Sequence, residues 1–279
     1  MGNFMSYKIF ALVVLAVFSL SQPVMAAIYW STLSNGANIG TIDTTTGVAT
    51  IVGPTGHGGT FGVAQDPTTN ILYASFGSSI GTVNKTTGAV TTIGDTTYAI
   101  YGITFDSSGQ MWAVAVSGGA LYKVNKATAA ATVVGTAGGG FAWMDIGFNG
   151  STLYGVSGDT LYTINTTTGA ATAVASVTGA CTNVMGIGFG ADGTLYASDY
   201  TSAKFCTMNP ATGVTTLIGA TGVSFPHGGD IGTLASPTPT PAPTPAVPTL
   251  SEWAELVLAG LLVIGGCAGL CRRTTRKAA

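Results

Sequence analysis

From residue 27 to residue 235 the sequence alternates short apolar runs with polar turns. The runs are rich in β-branched and aromatic side chains, as in ILYAS (71–75), MWAVA (111–115), TLYGV (152–156) and TLYAS (194–198). The turns between them are rich in Gly, Asn, Asp and Thr. Runs of this kind predict short β-strands, and no part of this segment shows the apolar spacing of an amphipathic helix. The pattern therefore predicts an all-β domain.

One phrase of this pattern occurs five times. The copies are IGTIDTTTGVATIVG (39–53), IGTVNKTTGAVTTIG (80–94), LYKVNKATAAATVVG (121–135), LYTINTTTGAATAVA (161–175) and FCTMNPATGVTTLIG (205–219). The residues that open their turns are 41, 41, 40 and 44 positions apart: Asp43, Asn84, Asn125, Asn165 and Asn209. Each unit contains two strands before the turn-bearing pair. Four antiparallel strands in about 40 residues are typical of one β-propeller blade, and a β-solenoid is the alternative.

The first unit lacks its opening strand, and the end of the domain supplies one. The chain after the N-terminal segment starts with AIYWST (27–32), which matches a second strand. GGDIGTLA (228–235) resembles WMDIGFNG, the opening strand of the fourth unit. We therefore predict a five-bladed β-propeller over residues 27–235 whose first blade pairs residues 230–234 with residues 28–32. Such closure removes the exposed sheet edges of an open array, whereas a solenoid gives no reason for the split repeat.

The repeated Asx and Gly residues have a role in turn geometry. In NTTTG (165–169) the Asn side chain can accept hydrogen bonds from the turn backbone, and the Gly can adopt a positive φ. The third copy has Ala129 where the others have Gly. If the turn is kept there, we expect strain of about 1 kcal/mol. Metal ligation by these Asx residues is the less favoured alternative, because turn chemistry already explains them.

Composition limits the function. Charged residues make up 7% of the chain, against about 25% in ordinary soluble domains. Residues 27–235 contain four Lys, no Arg, nine Asp and no Glu, a net charge of −5. A nucleic-acid-binding protein needs clustered Lys and Arg, so that class is excluded. No Gly-rich loop precedes a helix that could receive a phosphate, and we expect no cofactor.

Two of the four cysteines lie in the last repeat. Cys181 and Cys206 could form a disulfide if the domain is exported, or they could be separate buried side chains. The sequence leaves both alternatives open, because it does not give the distance between their Cα atoms.

The N-terminal residues 1–26 have the pattern of a secretory signal peptide. Lys8 precedes the apolar run 9–20, and small residues lead to a predicted cleavage after Ala26. A retained N-terminal anchor is the alternative. The predicted signal implies export from the cytoplasm.

The C-terminal part has three further segments. Residues 236–248 form a Pro/Thr linker that favours an extended, semi-rigid conformation. Residues 254–271 are apolar and reach the lower length limit of a transmembrane helix. The basic tail 272–277 would keep the C-terminus in the cytoplasm.

A short motif precedes the apolar segment: Val247, Pro248, Thr249, Leu250, Ser251, Glu252 and Trp253. Together with the helix and basic tail, residues 247–279 resemble the IPTL-CTERM sorting signal of Gram-negative bacteria, which typically begins Ile-Pro-Thr-Leu-Ser-Glu-Trp-Gly. Val247 and Ala254 depart from that pattern. The resemblance implies processing by an exosortase, transient anchoring in the inner membrane, and delivery to the cell surface or release. An ordinary membrane anchor is the alternative.

The predicted loops between blades carry the candidate functional residues. In a propeller, the loops from each outer strand to the next inner strand surround the central channel on one face. Here they contain both histidines of the chain, several aromatic residues and a few polar residues. The candidate ligand-binding residues are His57, Tyr98, Tyr101, Phe141, Trp143, Asp145, Asn183, Phe225, His227 and Asp230.

These residues allow three interpretations. In one, the aromatic rings stack on a sugar while Asn, Asp and His bind its hydroxyls. In another, the aromatics fill the channel and the histidines bond to nearby backbone. In the third, His57, His227, Asp145 and Asp230 meet as a metal site, which requires all four within a few ångströms. The closure model would allow the two histidines to approach each other, and no metal site is predicted.

The sequence thus predicts an exported, non-enzymatic binding or structural protein of the cell surface or matrix, with extracellular polysaccharide as its expected ligand. A carbohydrate-active hydrolase or lyase using Asp145 and Asp230 is the first alternative. It is weakened because the body has no Glu and hydrolysis requires placed carboxylates. A protein–protein interaction scaffold is the second alternative.

Overall fold

The computed structural model describes residues 28–138 and 140–232, all of which belong to the first of two units of the chain, Met1–Ala235. These residues form strands and no helix, so none of the described segments is a helix that could cross a membrane. The predicted signal peptide, Pro/Thr linker, sorting motif and transmembrane helix lie outside the described residues.

The strands form five sheets, each a blade of the predicted propeller. From the inside outward, blade one is β21 (His227–Gly232), β1 (Ile28–Leu33), β2 (Asn38–Asp43) and β3 (Ala49–Pro54). Blade two is β4 (Thr60–Gln65), β5 (Leu72–Phe76), β6 (Ser79–Val83) and β7 (Val90–Asp95). Blade three is β8 (Ile100–Phe105), β9 (Met111–Ala115), β10 (Ala120–Val124) and β11 (Ala131–Thr136).

The remaining two blades follow the same plan. Blade four is β12 (Trp143–Asn149), β13 (Thr152–Ser157), β14 (Thr160–Ile164) and β15 (Ala171–Ser176). Blade five is β17 (Val184–Phe189), β18 (Leu195–Asp199), β19 (Lys204–Met208) and β20 (Val214–Ala220), with the short β16 (Thr178–Gly179) parallel to its outer edge. The inner strands β4, β8, β12, β17 and β21 contact one another around a closed ring. The prediction of an all-β, five-bladed propeller is confirmed.

Closure joins two segments separated by nearly the whole domain. β21 runs antiparallel to β1, with Gly232 opposite Ile28 and Asp230 opposite Trp30. The predicted pairing is confirmed as far as Gly232, where the described residues end. The pairing covers the inner edge of the first blade, which would otherwise offer unpaired backbone groups to another chain.

The Asx turns have the predicted geometry. Asn165 Oδ1 accepts hydrogen bonds from the N–H groups of Thr167 and Thr168, at 2.8 and 3.0 Å, and Gly169 has a φ of +72°. In the third copy Ala129 has a φ of +63°, so the turn is kept with a residue that disfavours this conformation.

These turns also pack against the neighbouring blade. A Cβ atom on Gly53, at the end of β3, would lie 2.1 Å from the Thr87 carbonyl oxygen of blade two. A Cβ on Gly88 would lie 2.3 Å from the Gly53 carbonyl oxygen. Gly135 and Gly219 would approach turn carbonyls of the next blade at 1.9 and 2.0 Å. Glycine therefore recurs at the end of the fourth strand because backbone of adjacent blades meets there.

The core consists of side chains packed between strands and between blades. Tyr29 of β1 is fully buried, and its ring packs directly on Gly229 of β21. A Cβ atom on Gly229 would lie 2.0 Å from the ring, so only glycine leaves space for it. Cys181 and Cys206 form a disulfide with their Cα atoms 6.4 Å apart. This bond ties the loop before β17 to strand β19.

Candidate functional site

The propeller has two faces with different constituents. The loop face carries the connections from each outer strand to the next inner strand, within residues 53–62, 94–102, 135–145, 176–186 and 219–230. The opposite side, here named the turn face, carries the Asx turns 43–47, 84–88, 125–129, 165–169 and 209–213. Every inner strand runs from the loop face to the turn face.

Aromatic rings meet at the loop-face end of the channel. Phe61, Tyr101 and His227 come from three neighbouring inner strands, and each lies at or beside a β-bulge. Their ring centroids are 4.5 to 4.9 Å apart. Tyr200 extends the cluster, 6.0 Å from His227 and 4.9 Å from Phe225. The rings therefore pack against one another at this end of the channel.

The sequence did not predict two members of this cluster, Phe61 and Tyr200, as candidate ligand-binding residues. The sequence carries a signal for the first, because Phe61 precedes Gly62 as Tyr101 precedes Gly102. Tyr200 lies in the turn after a second strand, and only the folded chain brings it over the channel.

His227 is a packing residue in this structure. Its side chain is buried, and neither ring nitrogen has a hydrogen-bond partner among the described residues. Burial lowers the pKa of His227 to about 4, and the nearby Phe61 backbone offsets this shift only in part. The imidazole is therefore neutral at pH 7. Its backbone carbonyl accepts a hydrogen bond from Thr32 Oγ1 at 2.5 Å, which reinforces ring closure.

His57 lies elsewhere, so the expected approach of the two histidines is corrected. Its ring stacks on Phe76 with centroids 4.1 Å apart, and its Nε2 is 3.2 Å from the Val90 carbonyl oxygen. Both partners belong to blade two. Within the described residues, no group of three or more His, Cys, Asp or Glu side chains is arranged to hold a metal ion.

The other predicted aromatic residues are spread over the loop face. Tyr98 is 37% exposed and packs on Tyr122 at 4.5 Å. Phe141 packs on Trp143 and Tyr162, at 5.1 Å from each. Trp143 is fully buried, so its ring stabilises blade four and cannot stack on a ligand from solvent.

Asn183 and Phe225 are the most accessible of the remaining candidates on this face. Phe225 is 42% exposed and has a φ of +56°. Asn183 is exposed and lies beside a small cavity of about 80 Å³ that Met144 and Met185 also line. This cavity is too small to hold a sugar chain.

Asp145 is sealed inside the channel. Its Oδ2 accepts the backbone N–H groups of Ile187, at 2.8 Å, and Gly229, at 3.0 Å, which belong to two other blades. Burial raises the pKa of Asp145 well above its usual value; these backbone donors offset part of the shift, and the charge of Asp230 adds to it. The side chain thus links three inner strands.

Asp145 and Asp230 do not occupy matching positions, which corrects the sequence alignment. Asp230 pairs with Trp30, whose counterpart in blade four is Tyr154. Tyr154 pairs with Gly147, not with Asp145. The two carboxylates are therefore two residues apart along equivalent strands, and the Asp-Ile-Gly match between the two segments is out of register by two.

Asp230 lies closer to the turn face and borders open space. Its Oδ2 accepts the backbone N–H of Gln65 at 3.0 Å. Burial raises the pKa of Asp230 to about 7, and the Gln65 hydrogen bond offsets this shift only in part. The residue is partly exposed and lines a concavity at the mouth of the channel.

This concavity is one of three on the turn face. The mouth concavity has a volume of about 430 Å³ and is lined by all five blades, through Gln65, Phe105, Phe148, Phe189 and Ile231 among others. The middle concavity, about 280 Å³, lies between blades three and four. The outer concavity, about 430 Å³, lies on blade three.

Shared residues connect the mouth and middle concavities, whereas the outer concavity shares no lining residue with either; the three together are named the turn-face cleft. Ser107 and Phe148 line both the mouth and the middle concavities. Trp112 lines the middle concavity, and Lys123, which lines the outer one, places its Nζ 4.8 Å from the Trp112 ring centroid. The Lys123–Trp112 contact therefore lies between the middle concavity and the outer one.

The polar groups in the cleft are fixed in place. Asp106 accepts hydrogen bonds from Trp112 Nε1 at 2.9 Å and from Ser108 Oγ at 2.6 Å. Burial alone would raise the pKa of Asp106, but these bonds and two backbone bonds hold it below its usual value. The mouth end is therefore acidic, whereas Lys123 and Lys126 line the outer end.

Comparison with known proteins identifies the architecture. No protein-family model and no curated protein matches the chain. A chain in the crystal structure of a nidogen/laminin complex is similar over 76% of this chain and 83% of its own length, with 14% identity and a TM-score of 0.53. At that identity the similarity shows the β-propeller fold alone.

Two other solved structures have lower TM-scores. Virginiamycin B lyase from Staphylococcus aureus shares 16% identity over 69% of each chain, with a TM-score of 0.43. A structural genomics protein of unknown function from Bacteroides thetaiotaomicron shares 16% identity over 64% of this chain and 52% of its own, with a TM-score of 0.46.

Proposed function

We propose that the protein is an exported, non-enzymatic binding protein of the cell surface or matrix that holds a polysaccharide chain in the turn-face cleft. The observation that carries this proposal is the succession of three concavities on the turn face: the mouth and middle ones share lining residues, and the outer one adjoins the middle one across the Lys123–Trp112 contact. A polymer needs an extended groove, whereas a single small ligand needs one enclosed pocket.

The chemistry of the cleft suits sugars. Phe148 lines two of its parts and presents an apolar ring surface against which the carbon face of a sugar can pack. Ser107, Ser151 and Thr166 place hydroxyl groups in the middle concavity, where they can donate to and accept from sugar hydroxyls. The proposal thus keeps polysaccharide as the ligand but moves its site from the loop face to the opposite one.

The carboxylate pair of the hydrolase alternative, Asp145 and Asp230, does not meet in the cleft. Two-carboxylate hydrolysis requires both groups beside the scissile bond. Asp145 is buried in the channel with Oδ2 held by two backbone N–H groups, so only Asp230 of the proposed pair borders the cleft. Incubation with each bound polysaccharide should therefore release no new reducing ends.

Export is supported by the disulfide and by the sequences of the two ends. Disulfides persist in oxidising compartments and are rare in the cytoplasm. The Cys181–Cys206 bond agrees with removal of residues 1–26 as a signal peptide and with exosortase processing near residues 247–253. Mass spectrometry of the protein from a Gram-negative host should find a mature N-terminus at Ala27 and a trimmed C-terminus; intact termini would contradict the export proposal.

A blocking substitution tests the binding site. Ser107 is exposed and lies on the wall shared by the mouth and middle concavities, so Ser107→Trp fills the cleft without disturbing the core. The full-length chain would be titrated with neutral and acidic polysaccharides by calorimetry and affinity electrophoresis. We expect Ser107→Trp to weaken binding at least tenfold, which corresponds to about 1.4 kcal/mol.

The matched control is Ser224→Trp, the same change at an exposed serine on the loop face. It should leave binding unchanged. Loss of binding in Ser224→Trp but not in Ser107→Trp would assign the ligand to the loop face. Absence of binding to every polysaccharide by the wild-type chain would refute the proposed function.

A further inference from the structure

Three of the four lysines in residues 27–235 lie on the turn face, although that segment has a net charge of −5. Lys85 and Lys126 belong to Asx turns, and Lys123 lies near the turn-face end of β10. The fourth, Lys204, begins β19 at the loop-face end of its blade. Most lysines of the domain thus lie on the face that contains the cleft, together with Asp43, Asp66, Asp106 and Asp192.

The surroundings of these lysines differ. Lys126 forms an ion pair with Asp66: its Nζ lies 2.5 Å from the buried Asp66 carboxylate. Lys85 donates to Gln65 and Asn70, at 2.6 and 3.2 Å. Lys123 makes no ion pair among the described residues and is held instead over the Trp112 ring. Its ammonium group therefore has donor capacity left for a ligand.

The outer concavity gathers further donors around Lys123. Asn125 uses its Oδ1 to accept the Ala127 N–H, which leaves its amide N–H groups to donate. Thr132 is exposed and adds a hydroxyl group. No carboxylate is among the residues that line this concavity. A cation with neighbouring neutral donors is the set that a carboxylate ligand requires.

We propose that the outer concavity is a subsite for a sugar carboxylate, and that the cleft selects acidic polysaccharides built from uronic acids. This inference rests on the proposed function. Of the acidic side chains of the cleft, Asp230 lies at the channel mouth, and Asp106 accepts the Nε1–H of Trp112, the ring on which Lys123 packs. One carboxylate of the polymer binds Lys123 at the rim, and the hydroxyl groups of the following sugars face the serine and threonine hydroxyls of the middle concavity.

Methyl esterification offers a test with matched ligands, because it removes the charge and keeps the sugar backbone. Polygalacturonate and alginate, each with its methyl ester, would be titrated into the full-length chain at low and high salt. At least one acid form should bind about tenfold more tightly than its ester, and added salt should reduce the difference. Equal affinity for acid and ester, or binding of neutral polysaccharides only, would overturn the inference and leave the proposed function standing.

Three variants assign the effect to the subsite. Lys123→Gln should abolish the preference for the acid form, and Lys123→Arg should retain it. Lys204→Gln makes the same charge change on the loop face and should have no effect. Thermal melts of each variant identify any loss of folding, since Lys123 also packs on Trp112. An unchanged preference in folded Lys123→Gln would refute the subsite, whereas absence of binding to every polysaccharide would remove the proposed function as well.

Discussion

The contact between a turn glycine and the preceding blade determines how closely the blades pack. Gly88 combines a φ of +77° with a site at which a Cβ would lie 2.3 Å from the Gly53 carbonyl oxygen. Ala129 occupies the equivalent turn of blade three with a φ of +63°, and its Cβ is accommodated there. Gly56 has a φ of +78°, but a Cβ there would have no neighbour within 4 Å. The three positions separate backbone conformation from steric contact.

Gly56→Ala adds only the left-handed conformation, which destabilises an L-residue by about 1–2 kcal/mol. Gly88→Ala adds the same term and forces backbone of two blades apart, and overpacking of this kind costs about 1–3 kcal/mol more. We expect a total of about 3 kcal/mol for Gly88→Ala. Ala129→Gly relieves the conformational strain but loses a buried methyl, about 0.8 kcal/mol, and increases unfolded-chain entropy by about 0.4–1 kcal/mol. Its net effect should be within about 1 kcal/mol of zero.

Thermal unfolding of the full-length chain, followed by circular dichroism, measures these differences. In a domain of this size, 1 kcal/mol shifts the Tm by about 2–4 °C. Gly88→Ala should therefore lower the Tm by about 6–12 °C, clearly more than Gly56→Ala, and Ala129→Gly should change it by less than about 4 °C. If Gly88→Ala and Gly56→Ala have the same effect, the blades do not meet tightly at this contact and the steric argument is wrong.

Three further changes test the channel and the disulfide. Burial raises the pKa of Asp230 to about 7, above its value in the unfolded chain. Its contribution to the free energy of unfolding is therefore full below about pH 4 and is lost as the pH rises through 7. Asp230→Asn should remove this decline in the free energy of unfolding. The comparison must be between variants, because His227, with its pKa lowered to about 4, gives the opposite slope between about pH 4 and 6.5. Asp145→Ala leaves two buried backbone N–H groups unpaired and should cost about 3 kcal/mol by denaturant titration, whereas Asp145→Asn should cost less. Replacing Cys181 and Cys206 by Ala removes a cross-link that closes a separation of 25 residues and should lower the unfolding free energy by about 3 kcal/mol; equal stability of the reduced and oxidised proteins would contradict this.

Repetition made the architecture predictable. Five copies of one phrase gave the number of blades, and the missing first strand gave the closure through β21. The Asx and Gly residues also gave the turn geometry, including the strained Ala129. These features depend on neighbouring residues or repeat at a fixed spacing, so each copy predicts the same strands and turn. The sequence alone therefore determined them.

The tertiary structure decided what the two faces of the ring do. Strand pairing places Asp230 opposite Trp30 and Asp145 opposite Val156, so the Asp-Ile-Gly match in the sequence was out of register by two positions. The separation of His57 from His227 depends on which rings each loop packs against. The turn-face cleft arises where turns of different blades meet around the channel mouth, and no single repeat contains it. Sequence periodicity specifies a blade, whereas the surface between blades depends on side chains brought together only when the ring closes.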